Sequence, residues 1–293
     1  MTRQPAWLLD HARNVHSQFG EDGVIEQILR TLPENDKWCV EFGAWDGVYL
    51  SNTRNLIESA GYSAVLIEGD ATRFAALQKK DAGNARIFPV HAFVGFTEND
   101  GLDAILARLP TPPDFDFLSI DVDGNDYPIW RALSAYRPKA VCIEFNPTIA
   151  TGVRFVQRAD PAVHHGSSLT SLVELAEEKG YRLVSVLPVN ALFVDAKYFP
   201  LFGIDDNRPE TLRKDTRHVT HIFSGYDGTV FLQGNQQLPW HGLPIREPAV
   251  QVLPKFLRRH PDNYNRVEKA ALGLFRMLSW PRRLIAKIRR SAF

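Results

Sequence analysis

The 293-residue chain has only two cysteines, two methionines and no net charge. Both thiols, Cys39 and Cys142, lie inside short apolar runs, which excludes a disulfide framework or a cysteine-rich metal cluster. No stretch approaches the roughly 18 uninterrupted apolar residues of a spanning helix. The first residues, MTRQPAWLLDHARN, are broken by Asp10 and His11 before an apolar leader can form, so a cytoplasmic location is expected. Internal repeats and low-complexity segments are also missing, which excludes solenoids and disordered arrays. The neutral balance conceals an uneven distribution. Lys255 to Phe293 holds eleven Lys/Arg against two Asp/Glu, and the preceding residues hold 23 against 32. An acidic body with a basic tail points to a separate partner for the tail.

What is present is an alternation of short Val/Ile/Phe-rich runs with amphipathic ones. Strands are expected at Trp38–Phe42, Ala64–Ile67, Ala85–Val90, Phe115–Ile120 and Ala140–Ile143. Helical spacing appears over Val24–Leu32, Thr53–Ala60, Ala71–Lys80, Leu102–Leu109, Tyr127–Tyr136 and Leu169–Lys179. The last two strands, Arg182–Leu187 and Ala191–Val194, are joined by three residues, too few for a parallel crossover, so they form an antiparallel hairpin. The fold class is therefore α/β, a doubly wound, mostly parallel seven-stranded sheet with an antiparallel terminal hairpin. This resembles the Rossmann-like arrangement of class I methyltransferases. Four regions are expected: a helical lead-in (1–36), the core (37–196), an irregular extension (197–254) and a basic amphipathic tail (255–293). Within the extension, His221–Leu232 reads as a small hairpin turning at Tyr226–Gly228.

The chemistry concentrates where strands end. Glu41-Phe-Gly43-Ala-Trp45-Asp46-Gly47 follows the first strand and precedes a helix. Glycines there let the backbone approach a ligand. The two carboxylates disfavour a pyrophosphate and favour the cationic aminocarboxypropyl arm of S-adenosylmethionine; a plain strand–helix turn is the simpler reading. Glu68, ending the second strand, is placed to accept the hydroxyls of a ribose. His91, after the third, would line the adenine. Asp121, Asp123 and Asp126 crowd the end of the fourth strand, where they repel one another unless a cation or helix N-terminus intervenes. Glu144 and Asn146 end the fifth. Together Asp121, Asp123, Glu144 and Asn146 would make an oxygen cage for Mg²⁺, although helix capping and solvation alone also account for acids there. His165, in the following loop, is the candidate base for a substrate hydroxyl.

These segments resemble the FkbM-like family of S-adenosylmethionine-dependent methyltransferases over about Ser17 to Val194. The matching elements are Glu41-x-Gly43-x-x-Asp46-Gly47, Glu68 and Ile120-Asp-Val-Asp-Gly124. The resemblance implies that Glu41, Gly43, Asp46 and Gly47 line the methionine part of the cofactor, that Glu68 holds the ribose and that Asp121 faces the transfer centre. It also implies a small hydroxyl acceptor such as a saccharide or glycolipid. The chain departs from the family in placing Trp45 where many class I enzymes have glycine. Asp123 also stands where the family usually has glutamate. The paired acidic strand ends are similar to the Mg²⁺ site of catechol O-methyltransferase.

Two other readings remain. Asp121-Val-Asp123 fits the metal-binding Asp-x-Asp of a glycosyltransferase, and a non-catalytic scaffold would recruit partners through its tail. In that tail, residues 264–290 mix aliphatic and aromatic groups with Arg and Lys, a composition suited to an anionic membrane or to docking on the acidic body. Pro281 is expected to divide it into two short helices. No nucleic-acid recognition motif accompanies the charge.

Overall fold

The computed structural model describes residues 3–33 and 35–290, with side chains through Ser279. The chain forms two compact units that meet in sequence between Thr216 and Arg217.

The first unit is built on seven strands: β1 (Trp38–Phe42), β2 (Ser63–Glu68), β3 (Ile87–His91), β4 (Phe117–Ile120), β5 (Ala140–Glu144), β6 (Tyr181–Val186) and β7 (Asn190–Asp195). Their order in the sheet is β3-β2-β1-β4-β5-β7-β6. The first five are parallel, and β7 lies antiparallel between β5 and β6. This is the mostly parallel, Rossmann-like sheet of the class I methyltransferase fold. The helices of this unit are α1 (Glu21–Thr31), α2 (Arg54–Ala60), α3 (Ala71–Lys80), α4 (Leu102–Leu106), α5 (Asp126–Ala132), α6 (Leu169–Glu178) and α7 (Pro209–Leu212).

Alternation along each strand explains why both faces are covered. Cys39, Leu66, Phe117 and Cys142 join α1 residues Val24, Ile25 and Ile28 in one apolar cluster. Their neighbours Val40, Val65, Leu118 and Val141 join α6 residues Leu169, Leu172 and Leu175 in another. A period of two with apolar residues at every position buries the sheet twice, once per face. The two thiols are free and buried in this core.

Residues 197–216, expected to begin an irregular extension, belong to the first unit. Phe202 and Ile204 enter one apolar cluster and Leu212 the other. Single anchors of this kind carry no periodicity, and so the sequence pattern does not show them.

The second unit contains a hairpin of β8 (Thr220–Ser224) and β9 (Val230–Gly234), a short pair β10 (Gln237–Leu238) and β11 (Leu243–Pro244), and helices α8 (Glu247–Val250) and α9 (Arg266–Arg290). The β8–β9 turn closes through Gly225 and Gly228, so the hairpin lies where the sequence places it. The expected break at Pro281 does not occur, and α9 is one helix of 25 residues. Proline forfeits one backbone hydrogen bond, but its flanks are rich in Leu, Met, Arg, Lys and Ala, which favour helix and carry the backbone through. Among the described residues no helix is long and apolar enough to cross a membrane.

Candidate functional site

Strands β2 and β3 run to one side of β1, and β4 and β5 to the other. The chain thus changes direction between β1 and β4, and in open α/β sheets ligands bind outside the carboxyl ends of the strands at such a switch. Here the loops after β1 and β4 touch. Gly43 has φ +75°, and a Cβ added to it would lie 2.0 Å from the carbonyl oxygen of Asp121. Glycine is required on both counts. Gly47 is likewise at φ +75°, and its Cβ would meet Leu77 at 2.6 Å.

Glu41 ends β1 beneath this loop with its carboxylate buried. One oxygen accepts the Asn52 N–H at 2.7 Å, and the other accepts the hydroxyls of Ser51 and Thr53, each at 2.6 Å. Burial raises its pKa, against the lowering effect of these donors. The expected cofactor ligand is therefore occupied in fixing the loop into α2. Asn52 also donates to the Ser119 hydroxyl at 3.0 Å, tying β1 to β4. Asp46 turns outward. It accepts the N–H groups of Val48 and Tyr49 and pairs with Lys80 at 2.7 Å. Burial opposes ionisation, but Lys80 and the two N–H groups outweigh it and bring the pKa to about 2.

Glu68, ending β2, accepts Trp45 N–H at 2.8 Å and Asp70 N–H at 2.7 Å. A carboxylate has about four acceptor positions, so acceptor capacity remains for ribose hydroxyls. Trp45 has a positive φ of 52°, and its ring lies between the Arg73 guanidinium, 3.5 Å from the ring centre, and Tyr49. His91 stacks on Phe74 and lies 3.1 Å from the Gly69 carbonyl, beside Glu68.

At the ends of β4 and β5 the arrangement differs. Carboxylate oxygens of Asp121, Asp123 and Glu144 lie within 4.8 Å of one another. Two unit charges at that distance repel by on the order of 3–4 kcal/mol at an effective dielectric of about 20. Loss of water raises the Asp121 pKa well above normal, and Asp126, Asp123, Glu41 and Glu21 add repulsion. Loss of water, then Asp121, Asp126 and Asp123, does the same to Glu144. Asp126 is buried and shapes the loop by accepting the N–H groups of Val122 and Gly124; burial brings its pKa to about 6. Three hard oxygen donors crowded this closely, with Asp121 and Glu144 held back from ionising, suit a divalent cation such as Mg²⁺.

Asn146, expected beside the three acids, has local partners of its own. Its oxygen accepts the N–H and hydroxyl of Thr148, and its nitrogen donates to the His165 carbonyl. This closes an Asx turn, a local use of asparagine that competes with ligation. His165 is exposed on a loop that Gln157 holds by accepting the N–H groups of His165 and Gly166. The neighbouring His164 ring lies 3.2 Å from the Asp123 carbonyl.

Sequence reasoning missed Glu21. It lies in Ser17-Gln-Phe-Gly-Glu-Asp22 and reads as a helix-start acid. In the structure it is buried, accepts Phe19 N–H and the Asn190 amide, and contributes to the field on Asp121. Its neighbour Asp22 collects the N–H groups of Val15, His16 and Ser17. Two adjacent acids behind a glycine were the available signal.

No family model and no curated protein matches the chain. Among solved structures, it is similar to M. capricolum TrmK in complex with S-adenosylhomocysteine: 10% identity, 58% of this chain, 65% of that one, TM-score 0.34. The chain thus spans less than two thirds of TrmK. It is also similar to a SAM-dependent methyltransferase from Aquifex aeolicus, with 12% identity, 64% and 96% coverage and a TM-score of 0.37. For the N-terminal domain of EvdMO1 with S-adenosylhomocysteine bound, the values are 14%, 60%, 80% and 0.39. At such identities and TM-scores these likenesses carry no functional weight; strand order and side-chain geometry do.

Proposed function

We propose that the first unit is an S-adenosylmethionine-dependent methyltransferase of the FkbM-like kind, acting on a hydroxyl of a saccharide, glycolipid or other small acceptor. The observation that carries this reading is the contact at the switch point. The glycine loop after β1 packs directly on the acid loop after β4, with Glu68 alongside. Gly43 and Gly47 keep the first loop low, and Glu68 and His91 frame the nucleoside. The acids of the second loop face the positive charge that the cofactor brings.

S-adenosylmethionine supplies an electrophilic methyl group. The chain's own part is orientation, which accounts for much of the rate in a direct displacement. Asp121, Asp123 and Glu144 hold the acceptor, directly or through Mg²⁺, which would lower the pKa of a bound hydroxyl. His165 would take the proton of the acceptor hydroxyl.

The test is calorimetric titration with S-adenosylhomocysteine, with and without Mg²⁺, alongside Glu68→Ala and a uridine-diphosphate sugar. Binding weakened about tenfold by Glu68→Ala, in a variant that melts normally, is expected. Nucleotide-sugar binding without S-adenosylhomocysteine binding would assign Asp121-Val-Asp123 to glycosyl transfer instead. Binding of neither would leave the scaffold reading.

A further inference from the structure

The second unit presents a feature that methyl transfer does not use. Helix α9 carries eight Lys/Arg and one acid over Arg266–Arg290. Its two faces differ. Leu272, Phe275, Arg276 and Ser279 lie on the inner side, where with Arg259 and Tyr264 they line a cavity of about 620 Å³. On the other side, Val267, Leu274, Met277 and Leu278 are each more than half exposed. With Ala270 they recur at i, i+3, i+7, i+10 and i+11, a continuous aliphatic stripe. Arg266 and Lys269, also exposed, belong to the same stretch and make no ion pair among the described residues. The single acid, Glu268, is partly buried and pairs with Arg259 at 3.2 Å. Its negative charge is thereby neutralised within the unit, leaving the outward face basic and apolar.

We propose that this face of α9 lies on an anionic lipid surface. The helix is too charged to cross a bilayer, so it would rest in the interface plane. Its aliphatic stripe would enter the acyl boundary while Lys and Arg meet phosphate head groups. A second copy of the chain is disfavoured as the occupant, since two helices of this charge repel. The sequence beyond Ser279 continues the composition, with Leu284, Ile285 and Ile288 among Arg282, Arg283, Lys287, Arg289 and Arg290. This inference stands apart from the methyltransferase reading, because neither depends on the residues of the other.

The test is co-sedimentation of the full chain with vesicles of phosphatidylcholine alone or with about one third phosphatidylglycerol. Binding to the anionic vesicles only, weakened by salt, is expected. Leu274→Glu with Met277→Glu should reduce it about tenfold or more, and Arg266→Ala with Lys269→Ala by several-fold. All four positions are exposed, so melting temperatures should not move. Equal binding to both vesicle types, no binding, or wild-type binding by the Leu274/Met277 variant overturns the proposal. A lipid-free dimer abolished by the same variant also overturns it, assigning the stripe to a second copy.

Discussion

Strands β4 and β5 carry charged residues at or just beyond both ends, and the two ends are resolved in opposite ways. At the amino end, Asp116 before β4 meets Lys139 before β5 at 2.8 Å, with both side chains buried. Asp116 also accepts the N–H groups of Asp36 and Lys37, and Lys139 reaches Asp36. At the carboxyl end, acid faces acid: Asp121 and Asp123 lie against Glu144. The amino end supplies its own cation, while the carboxyl end raises carboxyl pKa values instead. A fold that neutralises one end internally shows what a finished structural pair looks like. Among the described residues the other end shows no such pair.

Breaking the amino end should have the largest effect. Asp116→Ala takes the buried carboxylate away from the Lys139 ammonium and from the Asp36 and Lys37 N–H groups, and should cost about 3–5 kcal/mol, read by urea denaturation. The carboxyl end should respond in the opposite sense. A raised carboxyl binds extra protons in the folded chain, so its contribution is fully present below the ordinary carboxylate value and is lost as pH rises. For Asp126 the loss runs up to about 6. Without divalent cations the melting temperature should therefore fall as pH rises from about 4 through about 6, and Mg²⁺ should restore it mainly at the higher pH. Asp121→Asn should flatten the profile and remove the Mg²⁺ response. An unchanged profile in that variant would show that the acids are merely solvated. The smallest effect belongs to the exposed Asp46–Lys80 pair, where Lys80→Ala should cost no more than about 1 kcal/mol in the same denaturation assay.

Much of this contrast was legible beforehand. Uninterrupted apolar runs marked the strands because both faces of the sheet are buried, and acids stood out at the ends of β1, β2, β4 and β5. Harder to read was which acids are already satisfied. Glu41 takes its three donors from Ser51–Thr53, and nothing in the strand itself announces them. Asn146 was drawn to the site by its neighbour Glu144, but a two-residue turn to Thr148 claims its oxygen. Glu21 reaches the site because tertiary packing brings its helix start against Asn190 of β7, a separation no local pattern encodes. Pro281 failed as a boundary because propensity is a sum over neighbours, and one proline did not outweigh them.

The contact between Gly43 and the Asp121 carbonyl has a consequence for anyone redesigning this protein. The two loops are one part. A change that shifts the backbone at Asp121 would displace the Gly43 loop with it, since no side chain stands between them to yield. Remodelling of either loop should leave this joint fixed and begin further out.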